Sequence, residues 1–123
     1  MTTDKPASRV GLLISPDLFF TSKVTGTAQA LGLRVDSVDD VASAVSRLQA
    51  GEVGCVLVDL AAPRVSIAEL LAAMPAEARV PVIAFGSHVN TEVLETARAA
   101  GAEVMPRSQF SATLPGILRQ HLG

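Results

Sequence analysis

The segment from Gly54 to Pro63 constrains the fold of this chain more than any other. Apolar side chains fill Cys55–Val58 and return at Leu60, and Asp59 alone interrupts them. An apolar run of this length between a glycine and a proline is typical of a strand buried on both faces. A carboxylate at the end of such a strand stands where open α/β sheets place their ligand sites. Asp59 is therefore the first candidate site residue, although a turn or helix cap would also suit the Ala-Ala-Pro that follows.

Strand-like and helix-like segments alternate along the chain. The other four segments with strand character are Arg9–Ser15, Leu33–Val38, Pro81–Phe85 and Ala102–Met105. Helical spacing of apolar residues follows each strand. Candidate caps for the first four helices are Asp17, Asp39 or Asp40, Ser66, and Asn90 or Thr91. Pro115 is tolerated only in a first turn, so we expect a loop at 106–108, a short turn near Phe110 and the main last helix from about Thr113.

Five such β–α units predict a parallel sheet with right-handed crossovers and helices on both faces. The first, third and fourth strands are the most apolar and should be central, which favours the flavodoxin-like order 2-1-3-4-5. The carboxyl ends of four strands then converge on one crevice. We expect that crevice to contain Asp59 together with Ser15, Pro16, Asp17, Gly86, Ser87, Arg107 and Ser108.

Size and composition indicate one folded domain over residues 9–123 with a disordered tail at 1–8. Lys plus Arg is 10 and Asp plus Glu is 12, and basic residues form no run, which argues against nucleic acid or an anionic membrane as a partner. No apolar segment has the length of a membrane span, and no secretory signal is visible. The single Cys55 lies within the predicted central strand and suits a reducing compartment, so we expect a cytoplasmic protein.

Motifs for other chemistry are missing from the sequence. His88 and His121 are far apart, which gives no metal-ligand spacing, and no glycine-rich phosphate loop follows the first strand. We therefore expect no metal, no cofactor and no enzymatic activity. The charged fraction of 18% is low for a globular domain and hints at a surface that a partner covers.

The segment Val56–Pro63 resembles the region around the phosphoacceptor aspartate of bacterial response-regulator receiver domains, including the proline four residues after Asp59. Pro81–Phe85 is similar to the fourth strand of that family, and Ala99–Glu103 to the turn before its fifth strand. The resemblance extends over 9–122. It implies the receiver fold, with Asp59 in the phosphoacceptor position.

The accessory positions depart from the family pattern. The acidic pair that holds Mg²⁺ in receivers falls on Ser15 and Pro16, and Asp17 is either its remnant or a helix cap. The family's hydroxyl residue falls on Gly86, beside Ser87. Its lysine falls on Ser108, one residue after Arg107, and its aromatic switch residue falls on Met105. Phosphoryl transfer needs compensation for the charge on the transferred oxygens. The resemblance therefore implies a degenerate pseudo-receiver.

Three functions remain open from the sequence. The first is a signalling or scaffold module that acts through protein contacts. The second is an atypical phosphorylatable response regulator that uses Asp59 with Arg107 as its cation. The third is a small-anion binder, in which Arg107 and the hydroxyls of Ser15, Ser87 and Ser108 hold the ligand.

Two structural hypotheses follow. Because a buried carboxylate needs donors, we expect either an Asp59–Arg107 ion pair or a Ser108 hydroxyl bond in its place. We also expect a protein partner, including a homodimer, on the face formed by the fourth helix, the fifth strand and the last helix. The small residues predicted for that face are Ala97, Ala99, Ala100 and Ala102.

Overall fold

The computed structural model describes residues 9–62, 65–74, 79–87 and 91–123. The predicted tail at 1–8 and the candidate cap Asn90 lie outside the described residues. Strands and helices alternate in the described chain as the pattern predicts. They are β1 (Val10–Ile14), α1 (Leu18–Ala30), β2 (Arg34–Ser37), α2 (Val41–Ala50), β3 (Val53–Asp59), α3 (Ile67–Ala73), β4 (Val82–Gly86), α4 (Thr91–Ala100), β5 (Glu103–Pro106) and α5 (Arg107–Leu122).

The five strands form one parallel sheet in the order β2-β1-β3-β4-β5. This confirms the predicted flavodoxin-like order. β3 is the central strand and every residue in it is buried. Leu57 lies opposite Leu13 of β1 and Ile83 of β4. The apolar run therefore fixes the middle of the sheet, and Asp59 stands at its carboxyl end.

Successive residues of a strand point to opposite faces, so the sheet has a core on each side. Leu12, Val56 and Val58 belong to the core on one side, which includes buried residues of α2, α3 and α4. Leu13 and Leu57 belong to the other core, which includes buried residues of α1 and α5. None of the helices in the described ranges is both long and apolar enough to cross a bilayer.

Side-chain caps begin three helices at the predicted residues. The Asp17 carboxylate accepts hydrogen bonds from the Phe19 and Phe20 amides, at 3.0 and 3.1 Å. Asp40, one of the two alternatives, accepts from the Ser43 amide, and Ser66 accepts from the Glu69 amide. The start of α1 is thereby fixed directly after β1, at the carboxyl edge of the sheet.

The last helix differs from the prediction. The expected loop at 106–108 and the separate turn near Phe110 are wrong, because α5 is one helix from Arg107 to Leu122 with Pro115 inside it. Phe110, Leu114 and Leu118 recur every four residues and are fully or almost fully buried. A proline inside a helix costs about 3 kcal/mol. Burial of each large apolar side chain contributes about 1.5–3 kcal/mol, so the whole stripe outweighs that cost.

The helix α4 packs on the sheet through one face. Leu94 and Ala97, three residues apart, are buried, whereas 38% of the surface of Val93 is exposed. Residues three or four apart share one face of a helix, so Val93, four residues before Ala97, lies at the edge of the buried face.

Candidate functional site

Asp59 lies at the end of β3 with none of its surface exposed, and it is the one buried charged residue among those the structure describes. Its Oδ1 accepts hydrogen bonds from Arg107 Nη2 at 2.8 Å and from the Ala61 amide at 3.0 Å. Its Oδ2 accepts a hydrogen bond from Ser15 Oγ at 2.8 Å. We call Asp59, Ser15, Arg107 and the Ala61 amide the Asp59 cluster. Both carboxylate oxygens are bonded within it, so the buried charge is compensated.

Arg107 is the first residue of α5, and its guanidinium also lies against two aromatic rings. Its central carbon is 4.8 Å from the ring centroid of Phe20 and 5.3 Å from that of Phe85. The side chain is 34% exposed, so the ion pair stands at the mouth of the crevice. The predicted Asp59–Arg107 ion pair is confirmed. The hydroxyl that bonds Asp59 belongs to Ser15, while Ser108 is exposed.

The three residues after β1 have separate positions. Ser15 Oγ donates to Asp59 and accepts from the Asp17 amide at 3.2 Å. The Asp17 carboxylate caps α1, which supports the cap interpretation over the remnant of an acidic pair. Pro16 is exposed. Of the three, Ser15 alone is bonded to Asp59 in the described structure.

The other predicted crevice residues line a cavity of about 580 Å³ next to Arg107. It is lined by Phe20, Lys23, Gly86, Ser87, Arg107, Ser108 and Ser111. Gly86 is buried at the end of β4, and a Cβ on it would stand 3.3 Å from the Leu60 Cβ. The expected convergence of Gly86, Ser87, Arg107 and Ser108 is therefore observed.

Sequence reasoning missed two contributors from α1. Phe20 forms part of the aromatic support of Arg107, and Lys23 Nζ donates to Ser111 Oγ of α5. Residues three apart on a helix are neighbours on its surface. Counting in steps of three from the cap Asp17 would have placed Phe20 and Lys23 on one face of α1.

The side chains at this edge do not fit the Mg²⁺ site that the receiver resemblance implies. Mg²⁺ requires oxygen ligands in near-octahedral geometry. Asp59 is bonded to Arg107 and Ser15, and the Asp17 carboxylate is bonded to the first amides of α1. Across residues 9–62, 65–74, 79–87 and 91–123, no three His, Cys, Asp or Glu side chains lie close enough to share a metal ion. Arg107 supplies the positive charge beside Asp59 instead.

Sheet order, helix placement and a carboxylate at the end of β3 together define the receiver fold. Solved receiver structures agree with this assignment. A response regulator from Hahella chejuensis superposes with a TM-score of 0.78 at 18% identity, covering 94% of this chain and 96% of that one. The receiver domain of the sensor histidine kinase PA1611 from Pseudomonas aeruginosa superposes with a TM-score of 0.75 at 23% identity, covering 94% of this chain and 98% of that one. That structure has a magnesium ion coordinated in its active-site cleft.

A third similar structure is the chemotaxis response regulator CheY4 of Vibrio cholerae, with a TM-score of 0.73 at 18% identity, covering 94% of this chain and 100% of that one. No protein-family model matches the sequence, and no curated protein matches it. At these identities the likeness establishes the fold. It does not extend to the chemistry of the site.

Proposed function

We propose that this chain is a cytoplasmic pseudo-receiver, a non-enzymatic signalling or scaffold module that acts through protein contacts without Mg²⁺-dependent phosphorylation of Asp59. One observation carries the proposal. Both oxygens of the Asp59 carboxylate accept hydrogen bonds from the protein, one of them from the guanidinium of Arg107.

Phosphorylation of an aspartate needs a carboxylate oxygen that can attack the donor phosphorus and cations that stabilise the transferred oxygens. Here Oδ1 is bonded by Arg107 and the Ala61 amide, and Oδ2 by Ser15. The charge of Arg107 is thus directed at the nucleophile. That arrangement stabilises the unmodified carboxylate, because Arg107 would have to leave Oδ1 before it could bind an incoming phosphoryl group.

The test is exposure of the whole chain to acetyl phosphate with Mg²⁺, followed by intact-mass measurement. A receiver that retains its acidic pair serves as the positive control for the donor. We expect no gain of a phosphoryl group. A gain in mass of one phosphoryl group in the chain without substitutions, absent in Asp59→Asn, would contradict the proposal.

In the second candidate function, an atypical phosphorylatable receiver, Arg107 would leave Asp59 Oδ1, now 2.8 Å away, and bind the oxygens of the transferred phosphoryl group. If Arg107 were the cation for the phosphoryl group, the same experiment would give a mass gain that Arg107→Gln removes. A gain that persists in Arg107→Gln would show phosphorylation without this cation.

The proposed partner surface is the face of α4, β5 and α5. Of the four small residues expected on this face, Ala99 is exposed and Ala100 is partly exposed, whereas Ala97 and Ala102 are buried in the core. Light scattering at high concentration tests the homodimer, with Ala99→Glu as the disrupting variant. Phe19→Glu is the control, because Phe19 is 90% exposed on α1. A monomer at all concentrations would exclude the homodimer and leave a different protein as the partner.

A further inference from the structure

The cavity between α1 and the start of α5 has the lining of an anion site. We call it the α1–α5 cavity, with the seven lining residues given above. Two of them, Lys23 and Arg107, are cationic, and three are serines. Among the described lining residues none is acidic. Its volume of about 580 Å³ lies within the range of about 300–1,000 Å³ of small-molecule sites.

The two cations differ in how their charge is balanced. Arg107 forms an ion pair with Asp59, which offsets its charge. Lys23 Nζ donates to the neutral hydroxyl of Ser111, and in the described chain it forms no ion pair. That hydrogen bond brings the ammonium group of α1 to the first turns of α5. The α1–α5 cavity therefore carries one uncompensated positive charge.

The position of α5 adds to this charge. Its N-cap is Pro106, which makes no side-chain hydrogen bond to the first amides of the helix. Helix amides and the helix dipole favour an anion at this end. The hydroxyls of Ser108 and Ser111 lie on the same two turns and can donate as well. Phe20 gives the cavity an apolar wall beside these donors.

From this lining we infer that the α1–α5 cavity binds a small phosphate ester. Its anionic group would lie between Lys23 and the first turns of α5, and its apolar body would lie against Phe20. A phosphate ester has three terminal oxygens for the ammonium group, the hydroxyls and the helix amides, whereas a carboxylate has two. Inorganic phosphate alone would leave most of the volume empty. This site goes beyond the proposed scaffold function and does not require phosphorylation of Asp59.

The experiment is an amide NMR titration of the full chain with phenyl phosphate. We expect saturable shifts in the first turn of α5 and in α1 around Lys23. Inorganic phosphate tests the anionic group alone, benzyl alcohol the ring alone, and benzoate the carboxylate. We expect weaker binding of inorganic phosphate and of benzoate, and no saturable shift with benzyl alcohol. Absence of saturable shifts with phenyl phosphate, or equal affinity for benzoate, would overturn the assignment.

The matched variants are Lys23→Gln and Arg119→Gln, which each remove one positive charge. A hydrogen bond to a charged group accounts for about tenfold in affinity, so Lys23→Gln should weaken phenyl phosphate binding by about that factor. Arg119 lies on α5 about 18 Å beyond Arg107, more than a Debye length away, so Arg119→Gln should change the affinity less than about twofold. Equal affinities of the two variants would refute a site at Lys23. Both residues are exposed, and circular dichroism confirms that each variant is folded.

Discussion

Removal of the guanidinium from the Asp59 cluster should destabilise the fold in a way that depends on Asp59. The substitution Arg107→Met keeps an unbranched apolar stem against Phe20 and Phe85 while it removes the charge and the hydrogen bond to Oδ1. Asp59 stays fully buried and retains the Ser15 hydroxyl and the Ala61 amide. The variant therefore leaves a buried carboxylate with neutral donors only.

The magnitude follows from burial. Removal of one partner from a fully buried ion pair costs about 3–5 kcal/mol. Arg107 is one-third exposed, so water can reach the vacated position and the cost should be lower, about 2 kcal/mol. Loss of the cation–π contact with Phe20 adds about 0.5 kcal/mol. This total is a substantial part of the 5–15 kcal/mol by which domains are typically stable.

The assay is urea unfolding of a double-mutant cycle made of Arg107→Met, Asp59→Asn and the double variant. If the ion pair is stabilising, the losses of unfolding free energy in the two single variants should add up to about 1.5 kcal/mol more than the loss in the double variant. Arg119→Met, at the exposed far end of α5, is the control for loss of an arginine. A coupling energy below about 0.5 kcal/mol would refute the reasoning.

Local structure supports four further predictions. Gly26→Ala should stabilise by about 0.5–1 kcal/mol in urea unfolding, because the new Cβ meets no atom within 4 Å. Gly54→Ala should destabilise by about 1–3 kcal/mol, since its Cβ would stand 2.6 Å from the His121 carbonyl oxygen. Burial raises the pKa of the Cys55 thiol to about 12, so a thiol reagent at pH 8 should modify the chain only after unfolding. Hydrogen bonds from two arginines, the stronger from Arg34, lower the pKa of Asp36. The ionised Asp36 carboxylate should therefore stabilise the fold above about pH 4, and this contribution should be lost as the pH falls. The urea midpoints of the unaltered chain and of Asp36→Asn should differ at neutral pH and become equal in acid.

The sheet and the ion pair could be predicted because both follow from strand order. A valine-rich run bounded by Gly54 and Pro63 fixes the central strand. Once the order of the strands is known, their carboxyl ends must meet, and Arg107 is the cation that the topology places there. The observed 2.8 Å contact with Asp59 agrees with this reasoning.

The start of α5 could not be predicted, because local and tertiary signals disagree there. Pro115 indicates a break or a first turn, and no capping side chain precedes Arg107. The helix forms from Arg107 onward because Phe110 packs on Phe85, with ring centroids 4.1 Å apart. That contact joins distant parts of the chain and has no local signature. The bond between Ser15 and Asp59 was missed for a similar reason, since the rotamer of a serine depends on its final neighbours.

The position of Arg107 bears on whether the Asp59 cluster can act as a switch. Arg107 belongs to α5 itself and follows β5 without an intervening loop. Its backbone cannot move away from Asp59 unless the first turn of α5 unwinds or the helix shifts. Phe110 and Leu114, in the next turns, are almost completely buried, and each contributes about 1.5–3 kcal/mol through burial. At the other end of α5, the His121 carbonyl lies so close to Gly54 that a Cβ there would collide with it. Motion of the arginine backbone would disturb packing along the helix, whereas a rotamer change of its side chain would not. We therefore expect any response of this site to be confined to the Arg107 side chain, with the helix and the proposed partner face kept in one state.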